Sequence, residues 1–261
     1  MDSVDPLPLR TFSALAAVEG LRHCFVDRVP GIPVDCDKEQ ALSRLGPAHK
    51  KAAQSLGIGL QAPVWIGEQV HGDRLGVVRD GTSHPGTLTP GLDGYVTDRA
   101  GVLLGVHVAD CGAVYLVDPI TRALGLLHAG RAGAEAGIVR KGIVLMENQF
   151  GSRAADILCV LSPCIRPPAY PFDLPGSISA QAVDAGIQAD NYHDCGECTA
   201  SSERSFYSYR REKGKTGRHL ALIGWSDGEC PPCGAEIETL ESDRPRFRLA
   251  NRRSHLKDRH A

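Results

Sequence analysis

Apolar and polar positions along the chain fall into short blocks that predict many strands and a few helices. The longest nearly unbroken apolar run starts at Val102 and stops at Asp110-Cys111-Gly112. A run of that length, bounded by Gly and Asp, suits a strand buried on both faces. Downstream, Ala113–Val117 and Ala123–Leu127 flank the turn Asp118-Pro119-Ile120-Thr121-Arg122. That pattern predicts a hairpin returning His128 to the Cys111 end of the sheet. Val139, Ile143, Met146 and Phe150 share one helical face, and Gly151 stops that helix.

Upstream, apolar pieces run over Phe12–Val18 and Leu21–Val29. Asp37 and Gln40 form a capping pair for a helix that Gly46 should end. Pro47 should start a second helix, closed by Gly57. Further strands are expected at Ala62–Ile66, Leu75–Val78, Ile157–Leu161, Phe206–Tyr209 and Leu220–Trp225. Residues 80–91 read as a loop, the proline-rich stretch 162–176 as irregular, and Ile178–Ala185 as a short helix closed by Gly186. Interspersed strands and helices predict an α+β domain over residues 1–227, a mixed β-sheet core with helices packed outside. Apolar runs then cease, and Arg and Lys dominate from Pro245, so residues 228–261 form a short basic appendage.

Composition adds limits. A chain of 261 residues with 42% apolar content can bury a large core. A net charge of −2 gives no general attraction to nucleic acid or membrane. No apolar run approaches the length of a membrane span, and the acidic start Met1-Asp2-Ser3-Val4-Asp5 is unlike a signal peptide. The expected location is the cytoplasm, where the nine cysteines would be thiols or metal ligands.

Three apolar fragments each deliver one reactive side chain beside a turn: His71 before Gly72, Cys111 after Asp110, and His128 before Ala129-Gly130. Two imidazoles and a thiolate suit zinc with one open coordination position. The same residues suit a cysteine nucleophile with a histidine base, or a buried thiol with two ordinary histidines. His107 lies four residues before Cys111, on the same face by strand alternation, but inside an apolar run it reads as core. Cys195 and Cys198 form a lone CxxC, a second metal or redox pair or ordinary thiols. Cys230, Cys233, His255 and His260 have the donor types of a small zinc module, where metal would replace a missing core. Otherwise the tail is a basic extension, and the only route to nucleic acid.

Gln69-Val70-His71-Gly72, Ala109-Asp110-Cys111 and His128-Ala129-Gly130 occur in an order that resembles the YfiH-like proteins, also called the laccase-domain or multicopper polyphenol oxidoreductase family. Asp93-Gly94-Tyr95-Val96-Thr97, Cys198-Thr199, the run Phe206 to Arg211 and Gly217-Arg218 extend the resemblance over roughly residues 60–225. It implies a catalytic zinc on His71, Cys111 and His128, with copper as the ion of the older label. It also implies phosphorolysis of adenosine, guanosine or inosine and methylthioadenosine, and deamination of adenosine. The partners would be purine nucleosides and phosphate, and the protein a monomer or homodimer. Arg210 and Arg211 are candidates for phosphate, which arginine grips bidentately. Asp110 would orient a ligand or cap its turn. The departures are Arg131-Ala132 in place of Trp-Arg, Ser162-Pro163 in place of Gly-Pro, and His49-Lys50 in place of Asn-Arg. Competing readings are a cysteine hydrolase acting on cell-wall peptide precursors, a copper polyphenol oxidase, and a catalytically dead domain binding nucleic acid through its tail. Ten scattered histidines lack the paired motifs an oxidase needs.

Overall fold

The computed structural model describes residues 6–58 and 62–226. The first sheet contains β1 (Leu9–Arg10), β2 (Leu21–Val26), β3 (Val64–Trp65), β6 (Leu103–Val108) and β11 (His219–Trp225). Their order is β1-β2-β11-β6-β3. The second contains β4 (Gly76–Val78), β5 (Gly94–Thr97), β7 (Gly112–Asp118), β8 (Ala123–Ala129), β9 (Leu158–Leu161) and β10 (Tyr192–Asp194), ordered β10-β9-β7-β8-β5-β4. Both sheets are mixed. β3 runs parallel to β6, β4 to β5 and β10 to β9, and the other pairings are antiparallel.

Side-chain alternation explains how the layers stack. On β7, Ala113, Tyr115 and Val117 face a core shared with Phe25, Leu104, Val106 and Ala221 of the first sheet. Val114 and Leu116 face the other way, onto Ile138, Val139, Ile143 and Met146 of α4 (Ile138–Phe150). The outer face of the first sheet is covered by Ala41, Leu45 and Ala52 of α2 (Lys38–Ser55). Two sheets therefore pack face to face between helices. Tyr115 Oη donates to Cys24 O at 3.0 Å across the sheet interface. No described helix is long and apolar enough to cross a membrane.

Several local expectations change. α2 runs unbroken through Gly46 and Pro47. Pro47 removes one helical donor, but Ala41, Leu45, His49 and Ala52 make a continuous buried face that holds the helix together. The segment Phe206–Tyr209 is not a strand. Phe206 and Tyr207 are buried through side-chain anchors instead: Tyr207 N donates to His219 Nε2, and Tyr207 Oη accepts from Val29 N. The helix expected at Ile178 begins earlier, as α5 (Leu174–Asp184), because Asp173 caps it by accepting from Gly176 N at 3.1 Å. Strand β6 ends at Val108, so Cys111 sits in the turn to β7 and alternation does not relate it to His107. The appendage, with Cys230, Cys233, His255 and His260, lies outside the described residues.

Candidate metal centre and its cleft

The β7–β8 hairpin pairs Gly112 with Ala129 and Ala113 with His128. Its register is fixed at the far end by Asp118, whose Oδ1 accepts from Ile120 N at 2.8 Å and from Thr121 N at 3.2 Å. The result is His128 beside the Cys111 turn. His71 arrives from the connection between β3 and β4. It is in the left-handed region at φ 63°, as is Gln69 at φ 62°. Asp110, just before Cys111, has φ 83°. Such backbone costs about 1–3 kcal/mol per residue and persists where surrounding contacts over-determine it.

The contact that holds His71 comes from Asp93, fully buried at the start of β5. Its Oδ1 accepts from His71 N at 2.9 Å and lies 2.8 Å from His128 Nδ1, while Oδ2 accepts from Gly72 N at 2.8 Å. One carboxylate thus sets the loop that carries one imidazole and the ring orientation of the other. With Nδ1–H committed to Asp93, the Nε2 lone pair of His128 is left for the site.

The donor atoms of His71, Cys111 and His128 all lie within 4.8 Å of one another. His71 is exposed, Cys111 half-buried and His128 buried, so the group opens to one side. The His71 and His128 rings meet edge to face, 4.9 Å between centroids. Burial alone would push the Cys111 thiol up, but the charge of His128 and hydrogen bonds from His128 and His71 bring it below its ordinary value. Burial would lower His128, and the Cys111 charge and the Asp93 bond raise it instead. The pair therefore favours thiolate and imidazolium over two neutral groups.

The open side faces a cleft of about 1140 Å³. Lys38, Arg131, Arg210, Lys213 and Arg218 line it against only two carboxylates, Asp110 and Glu135. Glu135 is paired with Arg131 at 2.9 Å. Asp110 accepts from Thr199 Oγ1 and from Arg210 N, each at 2.6 Å. Its carboxylate therefore ties two loops together, and the carboxylate that touches a histidine of the site is Asp93. Arg210 points its guanidinium over Tyr170, 5.5 Å from the ring centre. Arg211 lies outside the cleft lining and braces the backbone, donating to Thr199 O at 2.9 Å and Phe206 O at 2.8 Å.

Among the described residues, His71, Cys111 and His128 are the group of three such side chains whose donors converge. Cys198 pairs its backbone with Cys164, and burial raises Cys195 to about 11 and Cys164 well above its ordinary value, which disfavours the thiolate at both. Asp93 had a signal in the sequence, an acid beside Gly94 at a strand start. Arg131 stood out only as a departure from the resembled pattern, and Tyr170 and Lys213 had no signal, because only the tertiary fold brings them to one cleft.

A model of the family described as multi-copper polyphenol oxidoreductase laccase matches residues 37–173 and 169–226. A purine nucleoside phosphorylase of Geobacillus stearothermophilus, YlmD, is 32% identical over 192 residues, 60% of this chain and 70% of that protein. A purine nucleoside phosphorylase of Streptomyces griseus, ORF3, is 30% identical over 247 residues, 81% of this chain and 97% of that protein. The crystal structure of the Geobacillus YlmD superposes with a TM-score of 0.67 at 26% identity, covering 85% of this chain and 100% of that chain. The YfiH structure from Bacillus licheniformis shares the fold, with a TM-score of 0.68 at 23% identity over 84% of this chain and 99% of that one.

Proposed function

This chain belongs to the multi-copper polyphenol oxidoreductase laccase family, and from that premise we propose that it is a zinc-dependent purine nucleoside phosphorylase that also deaminates adenosine. The observation that carries the reading is the open His71–Cys111–His128 donor set at one side of a cleft rich in cations. Two imidazoles and one thiolate suit zinc, and the thiolate is already favoured without an ion. Gly130 leaves the space the set needs: a Cβ there would lie 3.0 Å from both Cys111 Sγ and His71 Cδ2. Bound zinc would supply a Lewis acid for the substrate and a means of activating water for deamination.

The rest of the reaction falls to the side chains. Arg210, Lys213, Lys38 and Arg218 supply the positive charge that holds a phosphate dianion in the cleft. Held there, a phosphate oxygen bonds to the sugar C1′ as the C1′–N9 bond breaks. The purine leaves with the electron pair and takes up a proton. Positioning both reactants in one site removes much of the entropic barrier to the bimolecular step.

The hydrolase reading has one observation in its favour: Cys111, His128 and Asp93 align as thiol, base and orienting carboxylate. A nucleophile needs one base, however, and here a second imidazole, His71, bonds the same thiol. Cys111→Ser separates the readings. In the phosphorylase, zinc content and turnover fall together; in a hydrolase, turnover falls at unchanged metal content. The direct assay is adenosine or inosine with and without phosphate. Ribose-1-phosphate and free base that appear only with phosphate support phosphorolysis, and inosine formed from adenosine in both conditions supports deamination. Neither product from zinc-loaded protein would overturn the assignment.

A further inference from the structure

One histidine lining the cleft belongs neither to the donor set nor to the phosphate-holding cations. It is His107, near the end of β6. Its backbone is clamped on both sides by one side chain: Gln69 Nε2 donates to His107 O at 2.6 Å, and His107 N donates to Gln69 Oε1 at 2.8 Å. Those bonds continue the edge of β6 beyond the short β3 pairing, and they come from one of the residues held in the left-handed region. The His107 ring stacks on His49 of α2, 5.4 Å between centroids and 30° between planes. His49 is itself fixed by a bond to the Arg218 backbone, and its buried Nε2 has no partner among the described residues. A buried polar atom of that kind calls for a ligand or solvent partner. The resemblance assigns no role to either ring, and His49 stands where the family usually has Asn.

We propose that His107 is a substrate-binding residue that hydrogen-bonds a ribose hydroxyl of the nucleoside, with His49 as the positioning residue behind it. The inference rests on the nucleoside reading above. Burial holds both rings down, His107 to about 3 and His49 to about 4, so both are neutral at physiological pH. A neutral imidazole offers one donor and one acceptor, which matches a hydroxyl group. It matches a phosphate dianion poorly, because the dianion presents acceptors alone. Position points the same way. His107 lines the same cleft as Lys38 and Arg218 and as His128 of the donor set, and the charges of all three reach it. Between a purine handled at the donor set and a phosphate held by the cations, the part that must span the gap is the sugar.

The test compares kcat/KM for inosine with 2′-, 3′- and 5′-deoxyinosine at saturating phosphate. In His107→Phe the preference for inosine over one of the three analogues is expected to shrink by about 3- to 10-fold, the worth of one neutral hydrogen bond. The change should lie mainly in KM. His107→Gln, which keeps a donor and an acceptor, should retain part of that preference. If the Phe variant fails to fold, His107→Asn carries the test, since its shorter amide cannot reach the hydroxyl and the preference should shrink equally. Unchanged preferences in a folded Phe or Asn variant that still performs phosphorolysis overturn this inference alone. A shift in the inosine-to-adenosine ratio with sugar preferences intact would place His107 on the base and overturn it too. Unmodified zinc-loaded protein that turns over no nucleoside overturns both readings.

Discussion

Replacing Asp93 by Asn should weaken the metal site and the fold together, and the structure sets the size of both effects. The carboxylate is fully buried and takes three hydrogen bonds: His71 N and His128 Nδ1 on Oδ1, and Gly72 N on Oδ2. An amide has one oxygen. Placed at the Oδ1 position it keeps two bonds without their charge assistance, about 1 kcal/mol less each. Its NH₂ then faces the Gly72 N–H, leaving a buried donor unsatisfied at about 1–3 kcal/mol. The expected stability loss is about 3–5 kcal/mol, before any relief from relaxation. Zinc affinity should fall about 10- to 100-fold, because the carboxylate orients His128 and raises its basicity. The assay is urea unfolding of the metal-free protein, with chelator competition for zinc. Acid supplies an internal check. Burial favours the neutral acid, but the bonds from His128, Gly72 and His71 outweigh it and hold Asp93 below the ordinary carboxyl value of 3.8. Its stabilisation is therefore complete above that value and is lost as pH falls through the lower folded-state value. The deficit of the Asn variant should shrink as acid removes the wild-type advantage. A variant within about 1 kcal/mol of the parent, binding zinc with the same affinity, would refute the idea that this carboxylate organises the site.

Arg210→Ala should raise the KM for phosphate about 10-fold with little loss of stability, whereas Arg211→Ala should destabilise by about 1–3 kcal/mol by leaving the Thr199 carbonyl unpaired and the Phe206 carbonyl with Arg28 Nε alone; phosphate titrations and thermal melts distinguish the two. Gly130→Ala should lower zinc affinity more than fold stability, since its Cβ would press on Cys111 Sγ and His71 Cδ2; equal affinity in chelator competition would show that the loop yields. If Cys230, Cys233, His255 and His260 bind zinc, full-length protein should carry one more zinc than residues 1–227 by elemental analysis, and equal content would leave the tail a basic extension.

The parts of the architecture written in local periodicity were legible from the sequence. The β7–β8 hairpin follows from two apolar runs around Asp118-Pro119, and α4 follows from Val139, Ile143, Met146 and Phe150 on one face. Expectations changed where tertiary contacts overrode local rules. Packing of Leu45 and Ala52 on the sheet carries α2 past a proline, and side-chain anchors bury Phe206 and Tyr207 without a ladder. β10 has no apolar alternation to reveal it, and exists by pairing with β9. In the site, each of His71, Cys111 and His128 stood beside a turn residue, a visible cue. Which carboxylate served them was not visible, because Asp93 and Asp110 both precede glycine- or cysteine-containing turns, and only the fold shows where each side chain goes.

The distribution of backbone strain gives a reason for this division of labour. Among the described residues, five non-glycine residues have positive φ, and four of them, Gln69, His71, Asp110 and Lys213, line the cleft. The three that flank or belong to the donor set, Gln69, His71 and Asp110, are held by contacts that do not involve the site's donor atoms. Gln69 is held through its amide on the His107 backbone, and His71 through its N–H on Asp93. Asp110 is held through its carboxylate on Thr199 and Arg210. Strain of about 1–3 kcal/mol per residue is therefore met by the protein during folding, and a metal ion entering the site need not supply it. An ion that had to order these turns would lose that amount from its affinity. An ion that finds them ordered has only the small adjustment of three donors to bring about. On this account His71 and Cys111 sit on strained turns because those turns aim their side chains at His128. Loosening a supporting contact, even one far from the ion, should then appear as lost metal affinity before it appears as a lost ligand.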